Sequence, residues 1–186
     1  MNIVFIIVFL AWVGSEMVLS SILRAKQEEE THRDQKTLLT IWITTVAAIA
    51  VAGLVARICS LPIVPGARFL YAGLMVIVMG MMLRIGSIVV LGRFFTYNVA
   101  IREGHTLITV GPYRYLRHPA YTGLLVSFFG YGLALNNWAS LAIAFFPVLI
   151  AMSKRIGVEE AVLTQQFGEA YVQYKRRSWA LFPWIY

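Results

Sequence analysis

The feature that most restricts the fold is a series of long apolar runs in the first half of the chain. These runs span 3–23, 38–58 and 69–91. Each contains about 20 residues, the length that a helix needs to cross roughly 30 Å of hydrocarbon. Because a backbone in the bilayer core must satisfy its own hydrogen bonds, each run is predicted to be a transmembrane helix. The first run lacks a basic leading segment, so it is predicted to be a retained span rather than a signal peptide.

Two shorter apolar runs follow in the second half, at 121–135 and 138–152, with Asn136-Asn137 between them. Adjacent asparagines favour a tight turn, so the pair is predicted to form a helical hairpin over 120–153. Beyond the hairpin, apolar side chains recur at helix-like steps among glutamates and glutamines. This pattern predicts an amphipathic helix over 154–178 that continues out of the second hairpin run.

These elements predict an all-α fold, namely a polytopic membrane protein with about five transmembrane helices, including the C-terminal hairpin, and an amphipathic C-terminal helix. We expect a single membrane domain over 1–186, in which 1–91 forms three spans and 92–186 carries the chemistry. The composition agrees, since 59% of residues are hydrophobic and 13% are charged, against roughly 25% charged in soluble domains. Cys59 is the single cysteine, which excludes an internal disulfide and a cysteine-based zinc site.

The positions of the basic residues explain the formal net charge of +7. With the N-terminus outside, three segments face the cytoplasm, and they hold most of the lysines and arginines: Arg24, Lys26, Arg33, Lys36, Arg93, Arg102, Arg114, Arg117, Lys154, Arg155, Lys175, Arg176 and Arg177. The opposite face holds only Arg57 and Arg68. Basic residues concentrate in cytoplasmic loops of membrane proteins, so this orientation is predicted and no nucleic-acid partner is expected.

A polar segment, 103–121, separates the third span from the hairpin and reads EGHTLITVGPYRYLRHPAY. Proline suits the first position of a helix and disfavours helical geometry in the residue before it. Pro119 is therefore predicted to begin a helix, with Arg117 and His118 just outside it, where free N–H groups favour an anionic ligand. Alternatively, these basic and aromatic residues only anchor a span at the membrane interface. No metal is expected, because no third ligand has metal-like spacing with His105 and His118.

Further charged residues stand out by their positions. Arg155 and Glu159 are four residues apart on one face of the predicted C-terminal helix, with Glu160 next to them. They form either a surface ion pair worth about 0.3–0.5 kcal/mol or a functional pair on the same side of the membrane as the polar segment. Within the spans, Arg84 is predicted to face the bundle interior or a polar cavity, and Glu16 to face protein or water or to lie near the headgroups.

Three separated segments then occur in order: GHTLITVGPYRYLRHPAYTG, RIGVEEAVL, and FGEAYVQYKRR followed by LFP. They resemble, in that order, the central motif, the arginine–glutamate segment and the C-terminal helix of the isoprenylcysteine carboxyl methyltransferase family. The run GLMVIVMGMMLRIG in the third span also resembles that family. The resemblance covers roughly 73–183, and an ordered set of segments is far more specific than any one of them. The first two spans match the family only in kind.

This resemblance implies a membrane enzyme that uses S-adenosyl-L-methionine and releases S-adenosyl-L-homocysteine. It implies that Arg155 positions the methyl acceptor, and Arg117 is assigned with it as a catalytic residue. The cofactor contacts that it implies are His105, Thr106, Leu107, Ile108, Tyr113, His118, Pro119, Ala120, Tyr121 and Glu159, with Asn98 in less similar surroundings.

The expected function is S-adenosylmethionine-dependent methyl transfer to a hydrophobic or lipidated acceptor, foremost the carboxylate of an isoprenylcysteine-like substrate. The sulfonium already activates the methyl group, so no metal is required. One alternative is a phospholipid-amine or small-thiol methyltransferase, and another is a non-catalytic membrane scaffold or transporter-like protein. The expected partners are a lipid-like or prenylated substrate and membrane lipids, with the cofactor site on the cytoplasmic side of a multi-pass protein.

Overall fold

The computed structural model describes residues 2–25, 35–64, 68–95 and 106–183, and these ranges form a helical bundle. The helices of the described residues are α1 (Ile3–Ala25), α2 (Gln35–Ile58), α3 (Arg68–Leu91), α4 (Pro119–Ala134), α5 (Trp138–Phe167) and α6 (Glu169–Arg177). Two short 3₁₀ turns, Gly92–Phe94 and Gly111–Arg114, lie between α3 and α4. The predicted all-α class is confirmed.

Four of the described helices, α1, α2, α3 and α5, are long and apolar enough to cross a membrane. Helix α4 has 16 residues, which gives a length of about 24 Å at 1.5 Å per residue. The predicted count of about five spans included α4, which is shorter than the other four helices. Exposed apolar side chains on the other helices, such as Ile7, Val46 and Met79, suit contact with lipid.

Glycines bring α3 and α4 into close backbone contact. A Cβ atom added at Gly73 would lie 2.3 Å from the backbone nitrogen of Ala134, and one added at Gly80 would lie 2.6 Å from the carbonyl oxygen of Gly123. Such distances are too short for any side chain, so each position requires glycine. Small residues at such interfaces let two helices pack closely in a membrane, where no hydrophobic force between helices is available.

The hairpin turn between α4 and α5 is fixed by its two asparagines. The Asn137 side chain accepts a hydrogen bond from the Ser140 N–H at 2.9 Å and so caps α5. Its amide donates to the Cys59 carbonyl at 2.6 Å. Asn136 exchanges two hydrogen bonds with the backbone of Val64, at 3.1 and 2.9 Å. The predicted hairpin is therefore present, and its turn is attached to the end of α2.

Aromatic side chains attach α1 and α2 to α4. Trp12 is 1% exposed, and its ring meets the ring of Phe128 edge-on, with 5.0 Å between centroids. This geometry is favourable for aromatic pairs. The Tyr131 hydroxyl donates to the Ile49 carbonyl at 3.1 Å. The bundle core lies between α4, the N-terminal helices and α5, which contributes the buried Val148 and Met152.

The predicted C-terminal helix over 154–178 is interrupted, which corrects the sequence-based boundary. Helix α5 continues without a break from the hairpin through Phe167, and α6 begins at Glu169. Gly168 between them has φ 55°, a left-handed conformation that glycine adopts without the steric penalty of a Cβ atom. After this break, α6 contacts α5 and the residues that precede α4, through Lys175 and Tyr174.

After α6, residues 178–182 form what we call the C-terminal strap, which runs beside residues 115–118. Leu116 and Trp179 form a parallel backbone bridge. The N–H groups of Arg117 and His118 donate to strap carbonyls at 2.7 and 3.1 Å. The strap therefore fixes the backbone immediately before α4.

Candidate active site

The start of α4 is the centre of the candidate site, and its predicted boundary is confirmed. Pro119 is the first residue of α4, and His118 is the N-cap with φ −126° and ψ 56°. The His118 carbonyl accepts hydrogen bonds from the N–H groups of Tyr121 and Thr122, each at 3.0 Å. Because the strap binds the His118 N–H, this residue is held by its backbone on both sides. Its side chain is buried.

Glu159 on α5 faces the His118 and Tyr121 side chains. Its Oε2 atom accepts a hydrogen bond from the Tyr121 hydroxyl at 2.9 Å and lies 3.8 Å from His118 Nδ1. The two rings stack with 5.7 Å between centroids and 14° between planes. The Glu159 side chain is 30% exposed. The result is a partly exposed carboxylate beside the Tyr121 ring, with the buried His118 ring stacked on that tyrosine.

Glu160, the next residue on α5, has different surroundings. Its Oε1 atom lies 2.7 Å from Arg117 Nε and 3.4 Å from His118 Nε2. Its Oε2 atom lies 2.6 Å from Lys175 Nζ on α6. The Glu160 side chain is 12% exposed. This carboxylate therefore joins three elements of the structure, namely α5, α6 and the residues before α4.

Arg117 also contacts the end of α6 and the strap. Besides Glu160, its Nη1 atom donates to the carbonyl of Ser178 and, at 3.3 Å, to the carbonyl of Lys175. These contacts attach the end of α6 and the strap to the start of α4. The predicted catalytic role of Arg117 stays a prediction, and the contacts that the structure shows for it are with the protein itself.

An apolar cavity opens on the other side of Tyr121. Its apolar walls come mainly from α1, α2 and α4, with residues that include Trp12, Val13, Met17, Ile41, Val46, Ile49, Leu124, Phe128 and Met152. Its polar end is formed by Glu16, Arg84, Tyr121 and Arg155. Arg155 is 2% exposed and interacts with the Tyr121 hydroxyl. The cavity therefore combines a long apolar wall with a guanidinium group at one end.

Glu16 on α1 and Arg84 on α3, two charged residues within the spans, pair with each other. Arg84 Nε lies 2.6 Å from Glu16 Oε1, and both side chains are largely buried. Arg84 Nη1 also donates to the Ala120 carbonyl in the first turn of α4, at 3.0 Å. The prediction that Arg84 faces the interior is confirmed, and Glu16 faces protein.

Tyr113 lies in the 3₁₀ turn before α4 and is buried. Its carbonyl accepts a hydrogen bond from the Tyr174 hydroxyl at 2.6 Å. Burial first, and the neighbouring Glu159 carboxylate second, raise the pKa of the Tyr113 hydroxyl. This hydroxyl therefore stays protonated at neutral pH and can donate a hydrogen bond.

The remaining predicted cofactor residues fall into three groups. Pro119 and Ala120 are buried in the first turn of α4. Thr106, Leu107 and Ile108 precede the Tyr113 turn outside any helix, with Thr106 exposed. His105 and Asn98 lie outside the described residues. Within the described ranges, no group of three His, Cys, Asp or Glu side chains could hold a metal ion.

The structure thus brings Tyr113, His118, Tyr121, Arg155 and Glu159 to one end of the bundle, as the sequence predicted. Sequence reasoning missed the roles of Lys175 and the strap, and it did not pair Glu16 with Arg84. No local pattern could have revealed these contacts, because the partners lie on different elements that only the tertiary structure brings together.

Comparison with known families gives a match over more than half of the chain. The family model described as "Phospholipid methyltransferase" matches residues 69–170. A relative from Arabidopsis thaliana, protein-S-isoprenylcysteine O-methyltransferase B, is 40% identical over 116 residues, which cover 61% of this chain and 58% of the relative. The protein-S-isoprenylcysteine O-methyltransferase of Schizosaccharomyces pombe is 35% identical over 101 residues, or 53% of this chain and 43% of the relative.

A solved structure shares the fold. It is that of the eukaryotic intramembrane Ras methyltransferase, an isoprenylcysteine carboxyl methyltransferase, with a TM-score of 0.69 and 23% identity. The match covers 97% of this chain and 65% of the solved chain. The chain spans about half of the length of the curated relatives that it matches, from 58% to 43% for the two named above.

Proposed function

The chain belongs to the phospholipid methyltransferase family, and on that premise we propose that it transfers a methyl group from S-adenosylmethionine to a hydrophobic or lipidated acceptor. The acceptor that we favour is the carboxylate of an isoprenylcysteine-like substrate. The predicted resemblance to the isoprenylcysteine carboxyl methyltransferase family is confirmed by the relatives at 40% and 35% identity. The protein is a multi-pass membrane protein, with four described helices able to cross a bilayer.

The surface around Glu159 fits the cofactor by its chemistry. The partly exposed carboxylate suits the cationic and hydroxyl groups of S-adenosylmethionine, and the Tyr121 ring, which stacks on the buried His118 ring, offers a flat face. When bound, S-adenosylmethionine supplies an activated methyl group and leaves as S-adenosylhomocysteine. We assign Glu159, His118, Tyr121 and Tyr113 to holding it, together with the predicted contacts that precede the Tyr113 turn.

The cavity on the other side of Tyr121 fits a lipidated acceptor. Its apolar walls are suited to a prenyl or acyl chain. The buried Arg155 at its polar end can orient a carboxylate by a charge-assisted hydrogen bond. Holding two reactants in line can lower a barrier by several kcal/mol. In this proposal the apolar walls position the tail and exclude water, and Arg155 positions the reacting oxygen.

One observation carries this proposal, namely that Tyr121 belongs to both surfaces. Its hydroxyl binds Glu159 on the proposed cofactor side, and its side chain lines the apolar cavity next to Arg155. A polar ligand and an apolar ligand would therefore meet at this residue. We also propose that this end of the bundle faces the cytoplasm with the N-terminus outside, in keeping with the distribution of basic residues.

The first test is calorimetric binding of S-adenosylhomocysteine to the detergent-purified protein. We expect wild type to bind, and Glu159→Ala and His118→Ala to bind at least about tenfold more weakly, since each loses a polar contact. Circular dichroism confirms that the variants fold. Absence of binding by folded wild type would reject the enzymatic proposal and favour a non-catalytic membrane scaffold or transporter-like protein.

The second test separates the acceptors. Transfer of labelled methyl is measured to a farnesyl-cysteine analogue, to phosphatidylethanolamine and to a small thiol. We expect transfer to the farnesyl-cysteine carboxylate. A phospholipid amine is the second candidate, because the matching family model is described as a phospholipid methyltransferase. Transfer to the amine and not to the carboxylate would establish that candidate instead.

Arg155 provides a third test within the same assays. Arg155→Ala is expected to lose turnover by about a hundredfold or more, because a guanidinium that orients the reacting group is removed. The affinity for S-adenosylhomocysteine should change by less than about threefold. For comparison, a tenfold change in affinity corresponds to about 1.4 kcal/mol of binding free energy. Arg176→Ala, in an exposed position on α6, is the matched control. Equal losses of turnover and cofactor affinity would move Arg155 from the acceptor to the cofactor.

A further inference from the structure

The polar end of the cavity contains a buried ion pair whose members lie on α1 and α3. Glu16 and Arg84 are 2.6 Å apart, and their side chains are 16% and 6% exposed. Both residues line the cavity. Charged groups within membrane spans are costly and mark functional positions. A pair at this depth, in the wall of a ligand cavity, therefore points to a role beyond packing.

Arg84 and Arg155 both line this cavity, so Arg84 brings a second guanidinium to it. Two guanidinium groups in the lining of one cavity suit a doubly charged group such as a phosphomonoester, which accepts paired hydrogen bonds from arginine. The Glu16 carboxylate lies directly against Arg84. The positive charge that Arg84 brings to the cavity is therefore cancelled by Glu16.

We propose that Glu16 is a specificity-determining residue for the methyl acceptor, an inference that rests on the proposed function. By cancelling the charge of Arg84, Glu16 keeps the polar end suited to an acceptor with one negative charge, such as a carboxylate. Acceptors or competitors with two negative charges, such as phosphomonoesters and phosphonates, are disfavoured. Glu16 lies outside residues 69–170, the range that the family model matches, so this selectivity comes from the N-terminal spans.

The experiment compares two farnesyl thioethers of matched length, one ending in a carboxylate and one in a phosphonate. Binding is measured by displacement of a fluorescent farnesyl thioether with S-adenosylhomocysteine present, so that no turnover occurs. Glu16→Gln keeps the size of the side chain and removes its charge. We expect it to shift the affinity ratio toward the phosphonate by about tenfold or more, because a unit charge acts strongly at low dielectric. An unchanged ratio would overturn the inference.

Two further variants make the test independent of the stability of one protein. Glu16→Gln combined with Arg84→Gln removes both charges together and should restore the wild-type ratio of carboxylate to phosphonate affinity. Arg84→Gln alone leaves the Glu16 carboxylate uncompensated. It should favour a farnesyl thioether ending in a neutral carboxamide over the carboxylate by about tenfold relative to wild type. If the affinity ratios do not change with the charges at Glu16 and Arg84 across this series, the ion pair has only a structural role.

Failure of this inference is distinguishable from failure of the proposed function. If wild type binds S-adenosylhomocysteine and methylates the farnesyl-cysteine carboxylate, but the affinity ratios do not change among variants, only the role of Glu16 is rejected. If folded wild type neither binds the cofactor product nor methylates any acceptor, the proposed function itself is rejected, and the role of Glu16 with it.

Discussion

Glu159 and Glu160 are adjacent on α5, and their surroundings differ sharply. Glu159 is 30% exposed and accepts one hydrogen bond from Tyr121. Glu160 is 12% exposed and lies between Arg117, Lys175 and His118. The first carboxylate has room for a ligand, and the second is surrounded by groups of the protein itself. Two neighbouring acidic residues of one motif are thus suited to different tasks, ligand binding and the attachment of α6.

Similar residues in one motif therefore need not share a role. The Glu160 junction fixes the backbone of Arg117 and His118 by attaching α6 and the strap to it. His118 in turn presents its ring to Glu159 and Tyr121. The contacts of Glu160 therefore hold His118 in position beside Glu159. Measuring stability and ligand affinity in the same variants distinguishes the roles of the two glutamates.

The largest effect is expected from Glu160→Gln. This variant leaves the largely buried Arg117 side chain without its carboxylate. Breaking a buried ion pair costs about 3 kcal/mol of unfolding free energy. The measurement is denaturant unfolding in detergent, followed by circular dichroism. Glu169→Gln, an exposed charge on α6, is the control and should change stability by about 0.5 kcal/mol or less. Unchanged stability in Glu160→Gln would remove the proposed difference between the two glutamates.

The next effect is expected from Glu159→Gln, and it should appear in binding. We expect the affinity for S-adenosylhomocysteine to fall by about tenfold or more, because a charged acceptor becomes neutral. Unfolding free energy should change by about 1 kcal/mol or less, since the side chain is partly exposed. Calorimetry and unfolding are compared with Glu160→Gln. A loss of stability as large as in Glu160→Gln, with no loss of affinity, would contradict the assignment.

A smaller effect is expected from Tyr174→Phe, which removes the hydrogen bond to the Tyr113 carbonyl and costs about 1 kcal/mol. Burial raises the pKa of Tyr174 from its ordinary value of 10.0 to about 12. The unfolded chain therefore loses this proton before the folded chain does, and stability falls as the pH rises from about 10 to 12. Unfolding at pH 8 and pH 11 measures the effect, and Tyr174→Phe should reduce the loss between them. An identical loss in wild type and variant would exclude Tyr174 as its source.

The smallest effect is expected from Lys175→Met. The Lys175 side chain is 39% exposed, and an exposed ion pair contributes about 0.2–1 kcal/mol. Added salt should weaken the pair, so the difference from wild type should shrink at high ionic strength. A thermal unfolding series at low and high salt measures this. A loss comparable to that of Glu160→Gln would show that Lys175, rather than Arg117, is the principal partner of Glu160.

Local patterns in the sequence determined the helices and several of their boundaries. Runs of about 20 apolar residues predicted the spans, because hydrocarbon thickness sets helix length. Pro119 predicted the start of α4, because proline acts on the backbone of its immediate neighbour. The ordered motifs predicted that Tyr121 and Glu159 line one cofactor pocket, and in the structure the Tyr121 hydroxyl lies 2.9 Å from Glu159 Oε2. These predictions rest on chemistry within a few residues or on family resemblance.

Only the tertiary structure decided which charged groups pair across the bundle. Nothing in the sequence around Glu16 identifies Arg84 as its partner, and nothing around Glu160 identifies Lys175. Contacts of this kind depend on how helices pack, and packing depends on close approaches such as that of Gly73 and Ala134. The break at Gly168 also depends on context, since an isolated glycine is tolerated within many helices. Local sequence therefore determined where the helices form, and long-range packing determined which side chains contact one another.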